Sequence, residues 1–119
     1  MGTHEYFDDP RNANVQISIN GELYSRDDAK ISVFDSGYLL GDGVWESFRL
    51  HNGKLAFLDE HLDRLLHGAA EISMDPHRQR EEIVQEILTV IKANGMLSLI
   101  HISEPTRPLY ISYAVFCLK

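Results

Sequence analysis

Short runs rich in β-branched and aromatic residues occupy the first half of the chain, and a helical period replaces them in the second. Val15–Ile19 and Glu22–Tyr24 flank Asn20-Gly21. A two-residue Asn-Gly step between such runs predicts a hairpin, because both turn residues must take positive φ. Val44 to Leu50 predicts a further strand, and Asn52-Gly53 turns it into Lys54–Phe57. From there apolar residues recur every three to four positions. Asp59 predicts the N-cap of a helix running to about Ile72, with Leu62, Leu65, Leu66 and Ala69 on its apolar stripe. Asp75-Pro76 resembles a cap followed by proline at the first helical position. The second helix is predicted to reach about Ala93, with Ile83, Ile87, Leu88 and Ile91 on one face and Asn94-Gly95 as its stop. Residues 1–14 are polar and expected to be loose. Two hairpins followed by two helices make an α+β domain.

Composition narrows the class. The chain has 119 residues, 44% of them apolar and 24% charged, which suits one small globular domain or a piece of a larger protein. A net charge of −7 argues against a nucleic-acid surface. No stretch approaches the roughly 18 apolar residues of a membrane span. The N-terminus lacks the basic start and apolar core of a signal peptide. The lone Cys117 excludes an internal disulfide framework. The expectation is a soluble, cytoplasmic protein bound to neither membrane nor nucleic acid.

Two stretches carry candidate chemistry. SGYLLGDGVWESFRL holds Gly37, Gly41 and Gly43. It reads first as a turn leading into a strand; it contains neither a Gly-Lys-Ser/Thr loop nor GxGxxG ahead of a helix. Trp45, the only tryptophan, is suited to the core or to the wall of a ligand pocket. In FLDEHLDRL, Arg64 borders the apolar stripe. It can snorkel into a surface ion pair or grip a phosphate or carboxylate with its planar fork. His61 and His67, near Asp59 and Glu60, raise a metal site, but a spacing of six does not put both rings on one helical face, and no metal is expected. Arg78 to Glu82, RQREE, reads as a solvated helix start.

Taken in order, the first hairpin, the G-x-x-x-G-D-G-x-aromatic-E stretch, the second hairpin and the E-H-x-x-R-L helix resemble the N-terminal small domain of class IV aminotransferases. These are fold-type IV pyridoxal-phosphate enzymes, and the resemblance spans roughly Ile19 to Met96. It implies pyridoxal 5'-phosphate as cofactor, with Arg64 on its phosphate. It places Trp45, Leu40 and Tyr38 at the substrate pocket. It implies an amino acid and a 2-oxo acid as substrates, and a homodimer. Branched-chain members often carry tyrosine where Leu40 stands, and GDGVWE is nearer the D-amino-acid pattern, so the resemblance covers branched-chain and D-amino-acid types without choosing. The lysine that forms the Schiff base, and the glutamate at the pyridine nitrogen, belong to the family's second domain. Lys30, Lys54, Lys92 and Lys119 do not match that context, so no catalytic residue is assigned, and the chain alone is expected to be inactive. An aminodeoxychorismate lyase of the same family, or a non-catalytic α+β binding or dimerisation module, are the alternatives.

The last segment, Leu97 to Lys119, differs in character. It holds Pro105, Pro108 and Cys117 and only one acidic residue, Glu104. LSLIHISEPTR, back-translated with suitable codons, resembles a transposase-type sequencing-library adapter, and ISYAVFCL resembles the flow-cell primer region downstream of it, in the same frame. The expected organisation is therefore a loose N-terminus over 1–14, a class IV small domain without its large domain over 15–96, and an adapter-derived tail over 97–119. On that expectation His101, Tyr113 and Cys117 carry no function. Ile111 and Phe116 would take strand geometry on an open sheet edge by propensity alone.

Overall fold

The computed structural model describes residues 10–96 and the pair 110–111. Most of the expected loose segment 1–14, and His101, Tyr113, Phe116, Cys117 and Lys119 of the expected tail, lie outside the described residues. The described part of 1–14 is not wholly loose, since Pro10–Asn12 form one 3-10 turn.

The first hairpin forms as expected. Strands β1 (Gln16–Ile19) and β2 (Glu22–Ser25) pair antiparallel with Ile19 opposite Glu22. Asn20 and Gly21 make the two-residue loop at φ 53° and 85°, both left-handed as a primed turn requires. A short helix that the periodicity did not signal follows, α1 (Ser36–Leu40). Asp35 caps it by accepting from the Gly37 amide at 2.8 Å, and Gly41 ends it at φ 74°.

The strand predicted from Val44 begins only at Phe48. β3 (Phe48–His51) pairs with β4 (Lys54–Ala56) around Asn52-Gly53. β4 is three residues long and its register ends at Arg49 opposite Ala56, so residues 44–47 have no ladder partner there. The other edge of β3 pairs with β5 (Tyr110–Ile111), Phe48 lying opposite Ile111. Strand propensity at an open edge suffices for such a pairing. The two hairpins belong to separate sheets, β1-β2 and β4-β3-β5.

Helix α2 (Leu58–Glu71) starts one residue before the predicted cap. Phe57, at φ 53°, turns the chain into it without a side-chain cap. Asp59 sits instead in the first turn beside Glu60, where the helix dipole favours carboxylates. Helix α3 (Arg80–Ala93) starts four residues after Pro76. The Asp75 carboxylate is taken by the His77 amide at 2.8 Å, which makes a local turn rather than a cap. Gln79 and Glu82 form the capping box that starts α3. The stop at Asn94-Gly95 is as predicted. RQREE is more than a solvated start: Arg80 reaches Asp59 at 2.9 Å and Asp63 at 2.7 Å, and Arg78 reaches Glu86 at 2.7 Å.

The core lies between β3 and the two helices. Phe48 and Leu50 point inward from β3 while Arg49 and His51 point out. They meet Leu62 of α2 and Ile83, Ile87 and Ile91 of α3; Leu65, Ala69 and Val90 are buried as well. Leu66 is only half-buried. Leu88, assigned to the apolar face, is exposed, and Val90 replaces it. Positions 83, 87, 90 and 91 hold one stripe at 3.6 residues per turn, whereas 88 rotates out of it. The first hairpin joins this body through Asn94. Its Oδ1 accepts from the Gln16 amide at 2.8 Å, and its Nδ2 donates to the carbonyls of Gln16 at 3.0 Å and Val90 at 2.9 Å. The architecture is the expected α+β arrangement, with α1 inserted between the hairpins.

Candidate functional site

The irregular stretch ahead of β3 lies against α2. His61, Arg64 and Gly68 recur at three and four residues and so share one face of that helix. A Cβ on Gly68 would lie 3.3 Å from Val44 Cγ1, so glycine lets the stretch approach the helix closely. Two residues on, Glu46 turns toward Arg64. Its Oε2 accepts from Arg64 Nε and its Oε1 from Nη2, each at 2.6 Å, a bidentate fork. His61 Nδ1 is 3.2 Å from both Glu46 Oε1 and Arg64 Nη2. The His61 ring is fixed edge-to-face on Phe48, centroids 5.4 Å apart, which links the site to the core.

The two charged partners differ in setting. The Glu46 side chain is 5% exposed and that of Arg64 is 69% exposed. Bonding to Arg64 holds the Glu46 carboxyl down at about 2, against an opposing effect of burial, with the Ser47 amide and His61 helping. Arg64 is raised in turn by Glu46. Among the described residues Arg64 Nη1 has no protein acceptor. The fork is thus gripped on its inner edge, with an outer edge presented to solvent. That arrangement suits an anion with several acceptor oxygens, such as a phosphate.

The other predicted residues are placed as follows. Trp45 adjoins Glu46 in sequence but is 84% exposed, so it is not a core residue. Tyr38 and Leu40 lie on α1, both exposed. No hydrogen bond or ion pair joins them to Arg64 among the described residues. Glu46 closes the G-x-x-x-G-D-G-x-aromatic-E stretch, and the sequence alone assigns it no role in the site. The signal for it was a carboxylate in an otherwise apolar, aromatic run, which needs a cation wherever it is buried. His61 lies against Glu46 at 3.2 Å, and His67 faces Glu71 at 3.6 Å.

Comparison with known families decides the lineage. The sequence profile of the family described as amino-transferase class IV matches residues 43–111, more than half of the chain. The chain belongs to the class IV aminotransferases. The match takes in the stretch ahead of β3, the second hairpin and both long helices, and hence Glu46, His61 and Arg64. Among individual relatives, the chain is 41% identical over 93 residues to branched-chain-amino-acid aminotransferase-like protein 1 of Arabidopsis thaliana, which covers 78% of this chain and 17% of that one. It is 37% identical over 84 residues to a D-alanine aminotransferase of Staphylococcus epidermidis, covering 71% of this chain and 30% of that enzyme. A D-alanine aminotransferase of Staphylococcus aureus is 43% identical over 70 residues, covering 59% and 25%. The chain therefore spans less than a third of the length of these curated relatives. Among the described residues no helix is long and apolar enough to cross a membrane.

Proposed function

We propose that this chain is the N-terminal small domain, residues 15–96, of a pyridoxal-phosphate-dependent transaminase that moves an amino group between an amino acid and a 2-oxo acid. The single observation that carries the cofactor assignment is the Arg64 fork, braced from inside by Glu46 and open on its outer edge. The residues present fit the group: a fixed guanidinium matches a phosphate better than a mobile one, because its ordering is already complete before the anion arrives. When bound, pyridoxal phosphate supplies the electron-withdrawing ring on which amino-group transfer depends. Arg64 would hold its phosphate, and Trp45, Tyr38 and Leu40 would border the substrate. Their exposure supports that reading, since a residue reserved for a substrate or a neighbouring domain is not spent on the core of this one. The described lysines, Lys30, Lys54 and Lys92, are all exposed, on a loop, on β4 and on α3. None is assigned to the cofactor, and that lysine would come from the large domain. The protein would act as a cytoplasmic homodimer.

The same reading keeps residues 97–119 as adapter-derived, although the profile match continues to residue 111. Re-reading the DNA past the codon for Met96, by an amplification that does not rely on the adapter, is the first step. Codons that depart from the adapter and lead into a lysine-bearing domain support the proposal; a genuine stop after Lys119 overturns it. The full-length protein, given pyridoxal phosphate and a 2-oxo acid, is then offered D-alanine and L-leucine separately. Formation of the matching 2-oxo product from one of them is the expected result, and no transfer from any amino acid overturns the assignment.

A further inference from the structure

We propose that Glu46 is a positioning residue: it fixes the Arg64 guanidinium for the cofactor phosphate, with His61 as its lateral brace. This rests on the reading of Arg64 as the phosphate group's anchor. The argument begins with the asymmetry of the pair. A surface ion pair formed for stability alone has both partners in solvent, and it contributes little. Here the carboxylate is 5% exposed and the arginine 69%, so the anion is sunk into the protein while the cation stands at its mouth. Glu46 engages Nε and Nη2 together, which fixes the plane of the guanidinium as well as its place. A single oxygen acceptor would leave that plane free to rotate.

His61 closes the remaining freedom. Its Nδ1 lies 3.2 Å from both Glu46 Oε1 and Arg64 Nη2. With a hydrogen on Nδ1 it donates to the carboxylate; without one it accepts from the guanidinium. In either tautomer the ring, wedged on Phe48, stops Glu46 from swinging sideways. Val44 against Gly68 fixes the backbone of the same stretch two residues earlier. Every group that holds Arg64 therefore lies on the inner side, and the guanidinium keeps its outer edge for the dianion.

The test compares pyridoxal phosphate with pyridoxal, which lacks the phosphate, by equilibrium dialysis on the full-length protein. Glu46→Gln keeps the shape but can accept only through one oxygen. It should lower the preference for the phosphorylated compound about tenfold, while pyridoxal binding changes less than about twofold. Glu46→Asp, which keeps the charge and shortens the reach, should recover part of the preference and covers the case of a poorly folded amide variant. In an Arg64→Gln background, Glu46→Gln should have no further effect on that preference. Equal losses for both compounds, or additive losses in the double variant, overturn the positioning role and leave Arg64 as the anchor. If Arg64→Gln itself leaves the preference unchanged, the anchor assignment fails and this inference with it.

Discussion

Two regions of the chain are rich in apolar residues and opposite in structure. In the helical half, Leu62, Ile83 and Ile91 are wholly buried between α2, α3 and β3. In the segment from Ile31 to Trp45, the apolar residues Ile31, Val33, Phe34, Tyr38, Leu39, Leu40 and Trp45 are exposed, and only Val44 is half-buried. The contrast is one of secondary structure. The helical residues recur at three and four positions and so gather on one face that another face can cover. Of that segment only Ser36–Leu40 is helical, and α1 is too short to collect the apolar residues on a stripe. An apolar residue is buried only where the chain brings a complementary surface to it. The exposed segment is also the one that precedes the Glu46–Arg64 pair, so the packed half is the scaffold and the other half carries the residues of the proposed site.

The sharpest test of that contrast is a cavity in the packed half. Ile83→Ala or Leu62→Ala is expected to lower stability by about 3 kcal/mol, through lost burial and an incompletely collapsed void. Chemical denaturation of the full-length protein checks it, the midpoint falling with the slope unchanged. A loss below about 1 kcal/mol would mean that this core does not hold the domain together.

Glu46 lies on the border between the halves, and acid should expose it. Its carboxyl is held at about 2 in the folded chain, below the ordinary 4.5, chiefly by Arg64. A folded-state pKa below the unfolded one gives a stabilisation that is complete above pH 4.5 and is lost as pH falls toward 2. Solvent around Arg64 screens much of that stabilisation. Denaturation midpoints measured across that window should fall in the parent and fall less in Glu46→Gln. Parallel profiles for the two proteins would remove Glu46 from the border.

Much of this division was legible before the structure. The two Asn-Gly turns, the helix stop at Asn94-Gly95 and the E-H-x-x-R-L helix were read correctly, because each is written in neighbouring residues. The misreadings have different causes. Asp59 reads as a cap until Arg80, twenty-one residues away, claims its carboxylate. Asp75-Pro76 reads as a helix start, but Gln79 and Glu82 satisfy the exposed amides four residues later. Val44 to Ser47 has strand propensity without a strand to pair with, since β4 ends too soon. At the site, Arg64 was legible as a cation beside an apolar stripe. Glu46 was not, because its burial depends on α2 folding back over it.

A weaker expected effect concerns the joint between the first hairpin and α3. Asn94→Ala removes two bonds to the backbone of Gln16 and one to Val90. The expected loss is about 1–2 kcal/mol, with hydrogen exchange accelerating in β1 before the helices. Unchanged protection in β1 would show that the hairpin is held by some other contact.

The smallest stability effects belong to the exposed segment. Trp45→Ser and Phe34→Ser, on residues each 84% exposed, should change the stability of this small domain by no more than about 0.5 kcal/mol. If Trp45 borders a substrate, Trp45→Ser in the full-length protein should raise KM for the amino donor while the denaturation midpoint of this domain stays in place. A stability loss above about 1 kcal/mol would instead mean that the indole already packs within the domain. The comparison turns on this pair of readouts. A residue withheld from the core yields its effect only when its partner, substrate or neighbouring domain is present, so the variant that matters least to folding is the one expected to matter most to selectivity.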